Sequence, residues 1–296
     1  SLYTGAASAY PDMGRELLLD VPQLSRGLKG KLKNPEKYLS WIYNNDEQQA
    51  RLPYNHLLGS SFLCQIHGHI SHDILGLKPS AIAGLSSGET NSMFAHGIWE
   101  GMDELLDEVA DSGLYDQFMA GDFASVRKAW NLGDDEKVPW ANYRVTESID
   151  VLKGLMEGTE RVYISIINSP NDIVICGHQD ELQSLLKNLP QHKYADLGHD
   201  LAVHCEAVRD FEGQWRKIHS RAVSVPEGLT VYSNYLGGVY EPSQETVADA
   251  LTGQAFQTID FPAIVNKMWD DGVRIFVEHG PRPVSYTHLT LPTTPY

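Results

Sequence analysis

The alternation of apolar and polar positions predicts helices and strands through the first half of the chain. Residues 3–14 are rich in small side chains, which indicates the end of a strand followed by a tight loop. An apolar pattern over 55–75 predicts a helix, and a short buried strand is predicted at 81–84. Two helices are predicted next, over 86–99 and 99–109, and the second of them carries an acidic face.

A different pattern begins near Trp140. Helices are predicted over 148–156 and 180–188. Between them, two runs of β-branched residues at 162–167 and 173–176 predict strands joined by a turn. Paired strands and helices in this order are typical of a small α+β unit.

After His199 the pattern of the first part returns. A long helix is predicted over 202–218, and a strand follows at 229–232. The last predicted elements are a helix over 262–270 and a strand at 274–277. The whole pattern predicts a large α/β domain that is interrupted by a small α+β subdomain.

The predicted elements divide the chain into two domains and a tail. Residues 1–140 and 199–283 are assigned to the large catalytic domain, and residues 141–198 to the small subdomain. Residues 284–296 have no amphipathic period and contain two prolines, so we interpret them as a non-native tail. The chain opens in a strand-like segment without an initiator Met or an apolar leader, which predicts a fragment without a signal peptide.

The charge of the chain argues against two classes of partner. Its 39 acidic and 23 basic residues leave a formal net charge of −16, which repels nucleic-acid phosphates and anionic lipid. No apolar run is long enough to predict a membrane span. One short basic stretch is either a solvated loop and helix start or a docking site for an acidic carrier protein. It consists of Lys29, Lys31, Lys33 and Lys37.

The cysteines indicate a reducing compartment. Cys64, Cys176 and Cys205 are odd in number and widely spaced. They form neither a disulfide framework nor a CxxC pair. We therefore expect free thiols and a cytoplasmic location.

Residues 84–89 read Gly-Leu-Ser-Ser-Gly-Glu, a GxSxG motif between a predicted strand and a predicted helix. A sharp strand-to-helix turn needs small flanking residues, and it lifts the central serine Oγ out at the helix N-terminus. This context predicts a nucleophile at Ser86, with the backbone N–H of Ser87 placed to stabilise an oxyanion. The alternative is a simple tight turn.

A serine nucleophile needs a base, and histidine has the suitable pKa. His199 and His204 both stand where the small subdomain returns to the large one, and the residue pattern alone leaves the choice between them open. A separate group, His67, His69 and His72, would lie on different faces of a helix without a shell of further ligands. We therefore expect no metal site there.

Taken together, these residues resemble malonyl-CoA:carrier-protein transacylases and the acyltransferase domains of type I polyketide synthases. The resemblance covers residues 3–283, and its strongest part is Gly-Leu-Ser-Ser-Gly-Glu against the family's GHSxGE. Residues 84–99 are most similar to the divergent acyltransferase domains of bacterial polyunsaturated-fatty-acid and glycolipid synthases. Four further segments match: 3–17 with F-P-G-Q-G-x-Q…M-G-R-E-L, 168–177 with V-N-x-P…V-V-x-G, 231–234 with Y-S-N and 276–281 with F-V-E-x-G-P.

The resemblance implies both a fold and a chemistry. The large domain would be α/β-hydrolase-like, with a parallel sheet and a nucleophile elbow, and the small subdomain ferredoxin-like. The family's A-F-H-S falls on residues 202–205, which selects His204, oriented by a main-chain carbonyl near Gln254. Asn168, Leu85 and His199 would line the pocket.

The implied activity is the transfer of an acyl group from acyl-CoA or an acyl carrier protein, through an acyl-serine, to a carrier-protein phosphopantetheine thiol. No bound cofactor and no metal are implied. The implied partners are an acyl carrier protein and neighbouring synthase domains. Two alternatives remain: a thioesterase or editing hydrolase with the same Ser–His pair, and a catalytically degenerate scaffold domain.

Three departures from the family pattern bear on activity. The family's oxyanion-hole glutamine falls on Ala6, which predicts a missing donor and a weaker site. The histidine before the nucleophile is Leu85, which alters the pocket wall. The arginine that clamps the malonyl carboxylate falls on Asp111, and a carboxylate there predicts a neutral acyl substrate.

Overall fold

The computed structural model describes residues 1–28, 32–35, 37–38 and 52–282. Lys29, Lys31 and the predicted tail 284–296 lie outside the described residues. The strands are β1 Leu2–Tyr3, β2 Ala81–Gly84, β3 Trp140–Val145, β4 Val162–Ser169, β5 Asp172–His178, β6 Tyr194–Asp196, β7 Thr230–Ser233, β8 Gly238–Tyr240, β9 Ile259–Asp260 and β10 Glu278–His279.

Helices surround these strands along the described chain. The α-helices are α1 Arg15–Asp20, α2 Gln23–Gly27, α3 Pro53–His69, α4 Ser87–Ala95, α5 Met102–Asp111, α6 Ala124–Ala129, α7 Ile149–Leu155, α8 Gln179–Leu186, α9 Glu212–His219, α10 Gln244–Phe256 and α11 Phe261–Asp270. Short 3₁₀ turns lie at Ala6–Ser8, Gln191–Lys193 and Glu206–Phe211, and single π turns at Ile70–Ile74 and Leu114–Phe118.

The large sheet has the strand order β10-β1-β2-β7-β8. Its first three pairings are parallel, and β7 pairs with β8 antiparallel. The residues of β1 and β2 are buried throughout, as a parallel sheet covered on both faces requires. The carboxyl end of the buried β2 is therefore held in the middle of the sheet, where the GxSxG motif begins.

The small sheet has the order β6-β3-β5-β4-β9. The chain passes through it as β3, α7, β4, β5, α8 and β6, with β3, β4, β5 and β6 antiparallel to their neighbours. This connectivity and order are those of a ferredoxin-like split β-α-β unit. β9 adds a short parallel pairing to β4, so the sheet extends past the predicted limit of residue 198.

The predicted long helix over 202–218 is wrong. Only a 3₁₀ turn at Glu206–Phe211 and the short helix α9 form there. His204 has φ 59°, in the left-handed region, and its N–H donates to Ala255 O at 2.7 Å. Ala202 N–H likewise donates to Met119 O at 2.8 Å. These long-range bonds take the place of the helical ones.

Other boundaries also differ from the predictions. The last strand is β10 rather than 274–277, and Arg274 instead lies over the Trp269 ring at 4.2 Å. The helix predicted over 86–99 ends at Ala95, ahead of Gly97 with φ 66°. A positive φ of 77° at Gly101 delays the next helix to Met102.

The acidic face of α5 is paired within the chain. Lys33 and Lys37 form ion pairs with Glu104 and Asp107. Asp103 is buried and accepts from the Lys33 N–H at 2.7 Å and from the Tyr38 hydroxyl at 2.8 Å. The two described lysines of the basic stretch therefore contact α5. No helix among the described residues combines the length and apolarity that crossing a bilayer requires.

Close packing around the GxSxG turn generates a stability prediction. A Cβ added at Gly88 would lie 2.0 Å from Tyr3 O, so Gly88→Ala forces α4 away from β1. We expect a loss of about 3 kcal/mol in the free energy of unfolding. The matched control is Gly154→Ala in α7, where nothing lies within 4 Å of the added Cβ. It should gain about 0.5–1 kcal/mol. Urea denaturation measures both, and equal effects would contradict the packing argument.

Candidate active site

Ser86 stands at a sharp turn between β2 and α4. Its φ of 58° and ψ of −129° lie outside the usual regions for a serine, a strain that persists only where the surroundings enforce it. The surroundings here are very close. A Cβ at Gly84 would lie 2.1 Å from Gly88 C, and one at Gly5 would lie 2.7 Å from Leu85 O. The small residues of the motif therefore allow the strand, the turn and the Gly5 loop to meet.

A buried glutamate supports this turn from below. Glu89 is 1% exposed, and its Oε1 accepts from Asn234 N at 2.6 Å and from Asn234 Nδ2 at 2.7 Å. The same Nδ2 donates to Gly84 O at 2.6 Å. Burial raises the pKa of Glu89 to about 7, against the lowering effect of these bonds. Glu89 and Asn234 both lie in segments that match the family, but the sequence analysis predicted no role for either residue.

Ser86 Oγ lies 2.7 Å from His204 Nε2. On the other side of the ring, His204 Nδ1 lies 2.6 Å from the carbonyl oxygen of Gln254. A carbonyl only accepts, so Nδ1 carries the proton and Nε2 is left to accept from the serine hydroxyl. This is the protonation state that a general base needs.

The His204 ring is buried, and burial lowers its pKa to about 4, while the bond to the Gln254 carbonyl acts in the opposite direction. The imidazole is therefore neutral at pH 7.

The second candidate base is placed differently. His199 lines the same cavity, but its ring lies edge-on to His56 with the centroids 6.3 Å apart. Burial, aided by His56, lowers the pKa of His199 to about 4. The structure thus places His204, and not His199, at hydrogen-bond distance from Ser86.

Two backbone donors face the turn. Ser87 is the first residue of α4, and its N–H is one of those that a helix N-terminus leaves without an internal partner. The Ala6 N–H donates to Ser87 Oγ at 3.0 Å. The weaker site expected from alanine at position 6 stays a prediction; the group of Ala6 that faces the elbow is its main-chain N–H, which is bonded to Ser87 Oγ. The Gln254 side chain also reaches the site, donating to Ser86 O at 3.3 Å.

A cavity of about 370 Å³ opens in front of Ser86 and His204. Leu85, Asn168 and His199 line it, as the resemblance implies. The Asn168 side chain is held by Asp172, with Nδ2 3.3 Å from Oδ1. Asp111 is the last residue of α5, is exposed and is not among the residues that line the cavity, so the substrate expected from it stays a prediction. The sequence missed the small-subdomain residues Asn142 and Arg144 at this cavity.

The histidine group before the motif has structural contacts. His67 Nδ1 accepts from the Gly280 N–H at 3.1 Å, and His69 Nδ1 lies 2.7 Å from Asp73 Oδ2. Within the described ranges, no three metal-ligating side chains come together.

Comparison with known proteins adds relatives at low identity. No family model matches this sequence. The chain is 25% identical over 228 residues to a polyunsaturated fatty acid synthase polypeptide of a Thraustochytrium species, covering 72% of this chain and 11% of that protein. It is 25% identical over 301 residues to the malonyl CoA-acyl carrier protein transacylase of Bacillus subtilis. That match covers 96% of this chain and 86% of that protein. A non-reducing polyketide synthase of Aspergillus terreus is 24% identical over 294 residues, 96% of this chain and 13% of that one.

Solved structures share the fold. FabD from Acinetobacter baumannii superposes with a TM-score of 0.76 at 17% identity, over 98% of this chain and 90% of that one. The acyltransferase domain from the second module of the salinomycin polyketide synthase has a TM-score of 0.73 at 18% identity. The match covers 98% of this chain and 66% of that one. The predicted α/β fold class and the resemblance to acyltransferase domains and transacylases are confirmed. The chain spans 11% and 13% of the length of the first two curated relatives.

The buried neutral histidine generates a prediction for stability against pH. The pKa of an unfolded histidine is about 6.5, whereas burial lowers the pKa of folded His204 to about 4. The free energy of unfolding should therefore fall on acidification between these values, by up to about 1.4 kcal/mol per pH unit for this group. His204→Asn should show a shallower slope in urea titrations across this range. His192→Asn, on the exposed surface, is the control, and an unchanged slope in His204→Asn would contradict the assignment.

Proposed function

We propose that this chain is a serine acyltransferase module that moves an acyl group from a thioester to the phosphopantetheine thiol of a carrier protein. The observation that carries the proposal is the continuous contact from Ser86 Oγ through His204 to the Gln254 carbonyl, set at a strained strand-to-helix turn on an open cavity. The relatives named above are consistent with this chemistry. The carrier protein and neighbouring synthase domains are part of the proposal.

In the first half-reaction, His204 Nε2 takes the proton from Ser86 Oγ while the oxygen attacks the thioester carbonyl carbon. The carbonyl oxygen becomes an oxyanion, which the N–H of Ser87 is placed to stabilise. The carbon–sulfur bond then breaks, and the proton on His204 passes to the leaving thiolate. The product is an acyl-serine and a free thiol.

In the second half-reaction the carrier thiol enters the cavity and gives its proton to His204. Its sulfur attacks the acyl-serine carbonyl carbon, and the Ser86 oxygen leaves and recovers the proton. Nδ1 stays bonded to Gln254 O through both steps, so the ring keeps its orientation. A water molecule in place of the thiol would yield hydrolysis, the thioesterase alternative.

Ser86→Ala should abolish the covalent acyl adduct, because the attacking oxygen is removed. His204→Ala should slow adduct formation about 10³-fold, within the range of general-base contributions. The measurement is intact-protein mass after mixing with a series of acyl-CoA donors and acyl carrier proteins.

His199→Ala is the matched control for this series. It removes a second histidine from the same cavity, but one outside the Ser86 contact, and it should stay within tenfold of the parent chain. Acylation of the Ser86→Ala protein at an unchanged rate would reject the proposal. Transfer of the acyl group from Ser86 to water but not to a carrier thiol would favour the hydrolase.

The lowered pKa of His204 generates a second expectation. A base must be unprotonated, and this ring stays so until pH falls toward about 4. The kcat/KM for acylation should therefore be flat from neutral pH down to about 5 and fall below it. An acid limb centred near 6.5 would show that another group, or an exposed histidine, acts as the base. Stopped-flow acylation in buffers of constant ionic strength measures the profile.

A further inference from the structure

We propose that the cavity in front of Ser86 binds an uncharged, apolar acyl chain longer than an acetyl group, and that it rejects a malonyl group. This inference rests on the proposed function and names its substrate class. It is argued from the lining of the cavity rather than from the position of Asp111.

One face of α5 forms an apolar wall. Met102, Leu105, Leu106 and Val109 all line the cavity, at the i, i+3, i+4 and i+7 spacing that puts side chains on one side of a helix. Each is at most 3% exposed. All four also belong to the hydrophobic core, so the cavity is bounded on this side by packed apolar side chains.

Apolar side chains of three other helices also line the cavity. They are Phe94 of α4, Trp215 of α9 and Leu251 of α10. An acyl chain on Ser86 would therefore meet apolar side chains from four helices.

The cavity has the size of a small-ligand site. Its volume of about 370 Å³ lies within the range of about 300–1,000 Å³ that is usual for such sites. The end of the thioester arm would take part of this space, and the acyl chain the rest.

Among the described residues, the inner part of the cavity has no lysine or arginine to pair with a carboxylate. Among the described lining residues, the arginines are Arg144 and Arg282 and there is no lysine. Arg144 has a half-exposed side chain that is bonded through Nε to both carboxylate oxygens of Asp172. Arg282 is exposed and lies over the Tyr10 ring at 4.5 Å. Both cations are therefore at the exposed rim and already in contact with other side chains.

The inner histidines do not change this conclusion. His204 and His219 are each 3% exposed, and burial lowers the pKa of each to about 4. Both rings are neutral at pH 7. A malonyl carboxylate placed against the α5 wall would lose its water without gaining an opposite charge, which is costly.

The test is the rate of Ser86 acylation, by intact mass, for acetyl-, malonyl-, hexanoyl-, octanoyl- and decanoyl-CoA. We expect kcat/KM to rise with each added methylene, by up to about three- to fourfold per methylene. We expect octanoyl to exceed malonyl at least 100-fold. Malonyl labelling as fast as octanoyl would overturn the chain-binding site while leaving acyl transfer intact. No adduct from any donor, on CoA or carrier protein, in a folded protein would instead reject the proposed function.

A pair of variants on α5 tests the wall itself. Val109→Phe fills the cavity, and it should lower octanoyl acylation at least tenfold while leaving acetyl acylation within threefold. Ala110→Phe adds a ring on the exposed side of the same helix and should change neither rate. Val109→Ile provides a milder change in the same direction if the larger ring prevents folding. Equal losses for acetyl and octanoyl in the Val109 variants would contradict the assignment.

Discussion

The site depends on the close approach of backbone to backbone at the turn that carries Ser86. Gly88 has no room for a Cβ because the carbonyl of Tyr3 in β1 lies where that atom would be, and Gly84 has none because it meets Gly88 itself. The turn holds Ser86 at a positive φ, which costs energy that the packing must offset. The buried Glu89–Asn234 contact ties the base of the turn to the strand next to β2. A rigid turn is what gives the serine oxygen one fixed direction.

The partner of that serine comes from a segment 118 residues away in the chain. His204 is not carried by a regular helix or strand. Its N–H is bonded to Ala255 O and its ring to Gln254 O, so consecutive carbonyls at the end of α10 fix both the backbone and the imidazole. The tautomer and the direction of the base are thus decided by main-chain atoms. Any residue can supply a main-chain carbonyl, which explains why the sequence motif around Gln254 is weak.

The two parts of the fold contribute different surfaces to the cavity. The helices of the large domain supply the buried apolar wall, with Val109 and Phe94 as examples. The small sheet supplies polar residues at the rim, among them Asn142, whose Nδ2 donates to His199 O at 2.9 Å, and Arg144. This division places polar groups where a thioester arm would enter and apolar groups where its acyl chain would rest. In the proposed function, the preference for one acyl group over another would then be a property of α5, α9 and α10 rather than of the Ser–His pair.

The sequence by itself determined the features that depend on neighbours in the chain. The GxSxG turn, the buried β2 before it and the paired strands β4 and β5 follow from local glycines, β-branched runs and a turn, so the sharp turn at Ser86 and a small α+β unit could be predicted. Tertiary structure decided the rest. Long-range hydrogen bonds hold His204 outside the helix that its flanking residues predict, and they place it, and not His199, beside Ser86. At position 6 the structure places the Ala6 N–H at hydrogen-bond distance from Ser87 Oγ. The direction of Asp111 and Val109 on α5 was also beyond the sequence, because a helical period shows which residues share a face but not whether that face meets solvent, core or a cavity.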